Sequence, residues 1–215
     1  MLIIFILFFS FVSANIKSPG HRNEIGKILE KEGHKIGVEL GVQRGHFVDK
    51  ILTNWKSCER FYLVDIWAQL DNYIDNANMD NVKQEAIYQE CKRVLSRFDQ
   101  NKLVYIRNFT INATPLIKDT LDFVYIDARH DYCGVTEDIN AYWPKIKSGG
   151  ILSGHDYLNV EDVKRMTPNQ DWGICEDGSR NEGAVKGAVD DFAKKHNLTV
   201  TFNKEEWPTW FIRKP

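Results

Sequence analysis

The sequence predicts an α/β fold, a doubly wound and mostly parallel sheet that ends in an antiparallel hairpin. Five apolar runs alternate with segments of helical periodicity, a pattern typical of parallel sheets covered by helices. A glycine-punctuated turn follows the first run, as at the ligand-binding end of such sheets. The last two apolar runs are too close in the chain for a crossover helix, which predicts the hairpin.

The first apolar run and the turn after it occupy residues 35–47. The run is typical of a buried strand, and helical spacing resumes after the turn. Gly41 and Gly45 allow the backbone to turn tightly and to approach a ligand closely. The loop directs the unpaired N–H groups of the next helix at that ligand. Gln43 stands where dinucleotide sites have a glycine, and its side chain would crowd a diphosphate, so a cofactor without phosphate fits better.

The second apolar run, residues 61–65, ends in Asp65. A carboxylate at this point of a nucleotide-binding βαβ unit binds the two ribose hydroxyl groups. The segment 70–81 is rich in Asp and Asn but lacks the ligand spacing and the sixth-position glycine of an EF-hand, so we interpret it as a polar loop. Trp67 and Tyr73 are free in this interpretation to cover a bound ligand.

The remaining elements continue the alternation. A short helix near Ile25 precedes the first strand. The later elements are a helix over 81–98, strands over 103–106 and 121–127, a helix over 135–146, a turn over 147–150, a fifth strand over 151–153, a helix from 185, and hairpin strands over 198–202 and 209–212. Pro144 ends or kinks the helix in which it lies. The long polar stretch 158–183 is expected to be a lid or a substrate loop.

Residues 1–14 are interpreted as a secretory signal and not as part of the fold. They form an uncharged apolar stretch that ends in Val-Ser-Ala, and they are fewer than the roughly 20 residues that a membrane span needs. No Lys or Arg precedes the apolar core, so an uncleaved anchor and a wrongly assigned start are alternatives. Removal of the signal leaves residues 15–215 as one domain without a membrane span, in the secretory lumen or outside the cell.

The composition is that of a soluble globular protein, with 43% hydrophobic residues, 27% charged residues and a formal net charge of −2. Lys and Arg are scattered among Asp and Glu and form no basic stripe with aromatic residues, so no nucleic-acid partner is predicted. The oligomeric state stays open, and a homo-oligomer is among the alternatives.

Cysteines and sequons bear on the compartment. The four cysteines are Cys58, Cys91, Cys133 and Cys175. Their even number allows two disulfides in an oxidising compartment, and buried thiols are the alternative, since no C-x-x-C occurs. The N-x-T sequons begin at Asn108, Asn112 and Asn197. They agree with a secreted glycoprotein.

A second group of chemical side chains follows the fourth and fifth strands. Asp127 and His130 come after the fourth strand, and His155 and Asp156 come after the fifth. Because neighbouring parallel strands end at the same edge of a sheet, Asp127, His155 and Asp156 are expected to converge there and to be able to bind a divalent cation. Capping of helices and mutual pairing are the alternatives for these side chains.

Three stretches together resemble class I methyltransferases that use S-adenosylmethionine, in particular a subgroup containing macrolide sugar O-methyltransferases. They are Glu39-x-Gly41-x-x-x-Gly45, residues 124–130 and residues 149–157. The likeness covers about residues 35–157 and implies a Rossmann-like methyltransferase sheet, S-adenosylmethionine as cofactor and a small hydroxylated substrate. The cofactor-binding residues that it implies are Glu39, Gly41, Gln43, Gly45, Asp65, Trp67, Asn108 and Asp127.

The resemblance also implies a metal and a base. In that subgroup the carboxylate after strand four and two acidic residues after strand five bind magnesium, and a histidine three positions after the first carboxylate serves as base. The matching metal ligands are Asp127, His155 and Asp156, and His130 matches the base, with Asp127 also counted as catalytic. His155 departs from the family, which commonly has Asp or Glu there. An imidazole softens the site, so manganese, iron or zinc also fits.

Two alternatives differ in class. A secreted, non-catalytic binding module could use a degenerate methyltransferase fold, because a fold does not imply chemistry. A nicotinamide-dependent oxidoreductase fits Asp65 but not Gln43.

Overall fold

The computed structural model describes residues 16–71 and 73–215. The predicted signal therefore lies outside the described residues. The strands are β1 (Ile36–Leu40), β2 (Arg60–Asp65), β3 (Leu103–Arg107), β4 (Leu121–Ile126), β5 (Ile146–Gly154), β6 (Thr201–Phe202) and β7 (Trp210–Arg213). The helices are α1 (Ile25–Lys31), α2 (His46–Asn54), α3 (Asn81–Leu95), α4 (Thr110–Ala113), α5 (Tyr132–Tyr142), α6 (Val160–Met166) and α7 (Ala184–Lys195).

Within the described residues, the seven strands form one sheet in the order β3-β2-β1-β4-β5-β7-β6. Strands β1 to β5 pair in parallel, whereas β7 pairs antiparallel with both β5 and β6. The strand order reverses between β1 and β4, where Leu40 lies beside Ile126. This is the switch point at which doubly wound sheets bind ligands. The predicted fold is confirmed, including the antiparallel end.

Each face of the sheet is covered by helices. Val38 and Val124 lie in a buried apolar cluster with side chains of α5 and α7, whereas Phe61 and Phe123 lie in a second cluster with α1, α2 and α3. Successive residues of a strand point to opposite faces, which is why the strands are apolar on both faces and show no simple alternation. This packing holds the carboxyl ends of the strands in fixed positions.

Some predicted boundaries were wrong. Within residues 35–47, strand β1 ends at Leu40, because Gly41 turns the chain with a φ of 86°. Helix α5 ends at Tyr142, and a 3-10 turn containing Pro144 leads directly into β5. The predicted turn 147–150 is part of β5, where the pairing with β4 skips several residues as a bulge. The stretch 158–183 contains one short helix, α6.

Both alternatives for the cysteines, disulfides and buried thiols, occur in the structure. Cys133 and Cys175 form a disulfide with their Cα atoms 5.7 Å apart, whereas Cys58 and Cys91 are buried thiols. Burial raises the pKa of both thiols to about 12, so they are unreactive near neutral pH. Across residues 16–71 and 73–215, no helix is long and apolar enough to cross a membrane.

Candidate active site

A cavity of about 640 Å³ opens at the carboxyl ends of the central strands. Its size is within the range of small-molecule sites. The residues predicted to bind cofactor that line it are Glu39, Gly41, Gln43, Asp65, Asn108 and Asp127. His130 and Asp156 line the same cavity. The two groups that the sequence analysis located separately, near Asp65 and near Asp127, therefore face one space.

Asp65 connects two loops that border the cavity. Its Oδ2 accepts a hydrogen bond from the Gln43 backbone N–H at 2.8 Å, and its Oδ1 accepts one from the Trp67 N–H at 2.7 Å. Burial raises the pKa of Asp65, and these backbone donors oppose that rise. The Gln43 backbone adopts the left-handed conformation, with a φ of 47°. The carboxylate thus holds this unusual backbone in place as well as facing the cavity.

Both glycines of the turn are needed, but for contacts within the protein. A Cβ atom on Gly41 would lie 1.9 Å from the backbone oxygen of Asp127. A Cβ on Gly45 would lie 2.9 Å from the sulfur of Cys91 on α3. Gly45 also has a φ of 75° and does not line the cavity. The close approach that the sequence indicated is therefore between strand ends and between helices.

Trp67 does not cover the cavity, in contrast to the expectation for it. Its side chain is fully buried, and its indole N–H donates to the Gln43 carbonyl at 2.9 Å. The side chain supports the turn from behind, because the left-handed backbone at Trp67 directs it inward. Tyr73, from the same loop, does line the cavity.

Glu39 and Asn108 face the cavity at different places. Asn108 follows β3, and its backbone N–H donates to the Asp65 carbonyl at 3.0 Å. Glu39 is 1% exposed, and its Oε2 has no hydrogen-bond partner in the described part of the chain. Burial raises the pKa of Glu39 well above its ordinary value. Such an acid is suited to receive a cationic ligand group, which would favour its ionised form.

The ends of β4 and β5 bring together four side chains that the sequence predicted. The His130 Nε2 lies 3.2 Å from Asp156 Oδ2 and 3.6 Å from Asp127 Oδ1. The His155 Nδ1 lies 2.8 Å from Asp156 Oδ1 and 3.8 Å from Asp127 Oδ2. The Asp156 backbone adopts the left-handed conformation, with a φ of 58°. Strained backbone conformations of this kind cluster at functional sites.

Asp75, to which the sequence analysis gave no role, and Tyr73 fix the other side of His130. Its Nδ1 lies 3.1 Å from Asp75 Oδ2 and 3.2 Å from the Tyr73 hydroxyl. Burial alone would lower the pKa of His130, but the acidic groups around it raise that pKa well above its ordinary value. Burial alone would raise the pKa of Asp127, but its cationic neighbours hold it below its usual value. His130 therefore balances negative charge in this cluster.

The cluster fits a divalent cation. Asp127, His130 and Asp156 each offer one ligand atom, and these atoms lie within 4.8 Å of one another. The His130 Nε2 and the Asp156 Oδ1 are buried, and their short contacts within the described part of the cluster lack the geometry of hydrogen bonds. Carboxylates with imidazole are a donor set for Mn²⁺, Fe²⁺ or Zn²⁺, and the carboxylates also suit Mg²⁺. The predicted third ligand, His155, belongs neither to this group of three nor to the cavity lining. It borders the same two carboxylates from the other side.

Arg22 is a site residue that the sequence gave no signal for. It lies in a short 3-10 turn before α1, lines the cavity, and brings its Nη1 to 3.5 Å from Asp127 Oδ2. The guanidinium also lies 5.0 Å from the centre of the Phe47 ring. Its backbone N–H donates to Glu205 at 2.8 Å, which ties the turn to the β6–β7 loop. No motif surrounds this residue, so only the folded chain reveals it.

The family model of a methyltransferase domain matches residues 38–157 of this chain. The match spans more than half of the chain, from β1 to the end of β5, and includes both sides of the cavity. The chain belongs to the methyltransferase domain family. The predicted identity as a class I methyltransferase dependent on S-adenosylmethionine is thereby confirmed, whereas the macrolide-related subgroup stays a prediction.

Solved structures support the fold of this methyltransferase. An O-methyltransferase of Bacillus cereus in complex with SAH is 12% identical, with 94% of this chain and 84% of that chain covered and a TM-score of 0.62. TomG of Streptomyces achromogenes, an O-methyltransferase involved in tomaymycin synthesis and solved with SAM, is 9% identical, with 90% and 79% covered and a TM-score of 0.59. The N-methyltransferase NodS of Bradyrhizobium japonicum is 14% identical, with 90% and 94% covered and a TM-score of 0.55. No curated protein sequence matches the chain.

Replacing Asp65 with alanine should weaken the binding of S-adenosylhomocysteine to the methyltransferase by about tenfold to a hundredfold. The change removes a charge-assisted hydrogen bond worth roughly 1.5–3 kcal/mol and loosens the Gln43 backbone. Isothermal titration calorimetry measures this effect, and Asp71→Ala, at an exposed position of the following loop, is the matched control. Equal affinities in the two folded variants would contradict the assignment of Asp65.

Proposed function

We propose that this methyltransferase transfers the methyl group of S-adenosylmethionine to an oxygen atom of a small hydroxylated molecule, with a divalent cation in the site. The observation that carries the proposal is a single cavity lined both by Asp65 and by the cluster of Asp127, His130 and Asp156. A ligand whose ribose binds Asp65 can extend past Gly41 and reach this cluster within the cavity. Its reactive end then lies beside the groups that can hold and deprotonate an acceptor.

Two charged residues suit the amino-acid part of the cofactor, which carries an ammonium and a carboxylate. Glu39 offers the ammonium a buried oxygen that has no partner in the described residues. Arg22 offers the carboxylate a guanidinium that lines the cavity and whose ion pair with Asp127 is long, at 3.5 Å. Charge-assisted contacts of this type orient a ligand as well as binding it.

Asp127, His155 and Asp156 are the proposed ligands of the cation, as the sequence analysis expected. A divalent cation bound there would lower the pKa of an acceptor hydroxyl. Both carboxylates lie close together, and without a cation they depend on His130 and Arg22 for neutralisation. Burying two carboxylates without such compensation is costly. The charges of the cluster therefore favour a cation at this position.

His130 is the proposed base. The acceptor oxygen forms a bond with the methyl carbon, the carbon–sulfur bond breaks, and the hydroxyl proton moves to the His130 Nε2. Asp75 on Nδ1 orients the ring in the way that a carboxylate orients the histidine of a catalytic dyad. The ring accepts a proton only when it is neutral, so another cation must first balance the carboxylates that raise its pKa. Alignment of acceptor and methyl group supplies most of the remaining rate.

The first test is binding. S-adenosylhomocysteine should bind the purified methyltransferase and NAD should not, because Gln43 occupies the place needed by a diphosphate. The second test is turnover of labelled S-adenosylmethionine with a panel of small hydroxylated acceptors, before and after exhaustive chelation. Loss of methyl transfer on chelation, with recovery on adding Mg²⁺ or Mn²⁺, is expected. Absence of S-adenosylhomocysteine binding would contradict the cofactor, and full activity after chelation would contradict the metal.

We also propose that the protein works in an oxidising compartment of the secretory pathway or outside the cell. The disulfide between Cys133 and Cys175 supports this location, because disulfides persist mainly in such compartments. Asn197 is exposed at the end of α7 and is suited to carry a glycan, whereas Asn108 and Asn112 line the cavity. Mass spectrometry of the protein from its natural source tests both points.

A further inference from the structure

The segment between α6 and α7 places an indole on the candidate base. Trp172 stacks on the His130 ring, with the ring centres 4.3 Å apart and the planes inclined by 24°. Trp172 is 3% exposed, and its N–H donates to the Gln170 side chain at 2.8 Å. Asp75 and Tyr73 hold the edge of the imidazole, but among the described residues the indole is the stacked partner that covers its face.

A covalent cross-link joins this segment to the helix that follows His130. Cys175 lies three residues after Trp172, and Cys133 lies three residues after His130. The disulfide and the stacked pair thus join the same two short segments, residues 130–133 and residues 172–175. A further contact between the two segments, the ion pair of Arg129 with Glu176 at 2.7 Å, is largely exposed on the Glu176 side. An exposed pair of this kind contributes little to stability.

Noncovalent packing places Trp172 in a small apolar cluster. The cluster contains Leu158, Val160, Val163 and Ala184, and the Trp207 ring packs against it with its centre 5.7 Å from that of the indole. This cluster is separate from the two large clusters that cover the sheet. The rest of the segment is a polar turn. It is closed by the bridge between Ile174 and Arg180 and by backbone hydrogen bonds within residues 173–181. A small cluster provides fewer apolar contacts than the two clusters that cover the sheet, so we expect the cross-link to contribute strongly to the position of this segment.

We propose that Trp172 is a positioning residue for His130 and that the Cys133–Cys175 disulfide holds it in place, so that methyl transfer depends on the oxidised state of this pair. The inference rests on the proposed function of His130 as the base. A dithiol reductant breaks the S–S bond with two electrons, leaves two thiols on the protein and becomes a disulfide itself. The freed segment then releases the indole, and the imidazole loses one of the contacts that orient its Nε2.

The primary test follows the His130 ring by NMR in the full chain and does not require a known acceptor. The ring current of the stacked indole should move the His130 ring-proton signals upfield relative to those of a Trp172→Ala variant. A His130→Gln variant assigns these signals. Reduction with dithiothreitol should move them to the positions seen in Trp172→Ala. The dissociation constant of S-adenosylhomocysteine should stay within about twofold, since Asp65 and Gly41 lie on other strands.

Turnover supplies the second readout. Reduction, Trp172→Ala and Cys133→Ser/Cys175→Ser should each lower kcat by roughly tenfold to a hundredfold, the effect of a small misplacement of a catalytic group. Trp172→Ala should cause no further loss in the double-serine background, because both changes remove one contact. Trp172→Phe should restore most of the rate, since a phenyl ring also stacks. Cys58→Ser, which changes a thiol outside the disulfide, should leave the response to reductant intact.

Several results would overturn the proposal. His130 signals that ignore reduction would show that the disulfide does not hold the indole, and a double-serine variant that still responds to reductant would show that the response has another origin. A loss of S-adenosylhomocysteine affinity on reduction that is as large as the loss of kcat would show that reduction loosens the fold in general. Failure of the oxidised protein to bind S-adenosylhomocysteine would instead reject the proposed function, and the NMR result would still report on the stacked pair.

Discussion

Replacing His130 with alanine should lower methyl transfer by about a hundredfold to ten-thousandfold and leave the affinity for S-adenosylhomocysteine nearly unchanged. In the proposed function the imidazole accepts the hydroxyl proton. Its Nε2 lies 3.2 Å from Asp156 Oδ2, and its Nδ1 lies 3.1 Å from Asp75 Oδ2, which orients the ring. Asp65, the proposed partner of the cofactor ribose, ends β2, which lies on the far side of β1 from β4. We therefore expect cofactor affinity to change little when this ring is removed.

The same experiment separates a base from a metal ligand, because His130 and His155 border the same carboxylates. The rate of methyl transfer and the affinity for Mn²⁺ should be measured for His130→Ala, for His155→Ala and for a control, His196→Ala, whose side chain is exposed at the end of α7. We expect His155→Ala to weaken Mn²⁺ binding, His130→Ala to retain it, and the control to change neither quantity. Loss of Mn²⁺ affinity in His130→Ala would make His130 a ligand, and an unchanged rate would remove it as the base.

Replacing Gly41 with alanine should lower the free energy of unfolding by more than about 4 kcal/mol, which is exceptional for one methyl group. A Cβ at this position would lie 1.9 Å from the backbone oxygen of Asp127, and φ is 86°. The carbonyl cannot move away easily, because the Asp127 backbone N–H donates to Leu40 at 2.8 Å and holds the two strand ends together. The clash therefore adds to the strain of a left-handed alanine.

Gly149→Ala is a matched control for this prediction. Gly149 has a φ of 77°, and a Cβ there would meet nothing within 4 Å. The Gly149→Ala change should therefore lower the free energy of unfolding by only about 1–2 kcal/mol, the cost of a left-handed alanine. For a domain of this size each kcal/mol lowers Tm by about 2–4 °C, so Gly41→Ala should melt at least about 8 °C below the parent. Thermal and urea unfolding measure both changes. If both variants lose a similar free energy of unfolding, the backbone has moved to relieve the clash between the new Cβ at position 41 and the Asp127 oxygen, which would contradict the prediction.

The sequence by itself determined the fold class and the strand-end residues on both sides of the site. Apolar runs and helical stripes are local patterns, and a parallel sheet with helices on both faces is the arrangement that buries them. The turn at Gly41 and the carboxylate of Asp65 belong to one βαβ unit, so their spacing placed them at one end of the sheet. Asp127 and Asp156 were predictable for the same reason, because neighbouring parallel strands end at the same edge.

The tertiary structure decided what those residues contact. The sequence showed that a glycine was needed at positions 41 and 45, but the neighbours that exclude a side chain there are the Asp127 backbone and Cys91. Trp67 shares a loop with Tyr73, yet one is buried and the other lines the cavity. Which way a loop side chain points depends on the backbone angles and the packing around it, and composition does not encode either.

Contacts between distant segments were also beyond the sequence. Arg22 and Asp127 are 105 residues apart, Asp75 and His130 are 55 apart, and the disulfide joins positions 42 apart. All three contacts involve turns and loops, which have no periodicity from which a partner could be inferred. Their positions are fixed only after the sheet and its helices have packed, since that packing brings the loop ends together and leaves each loop a limited set of conformations.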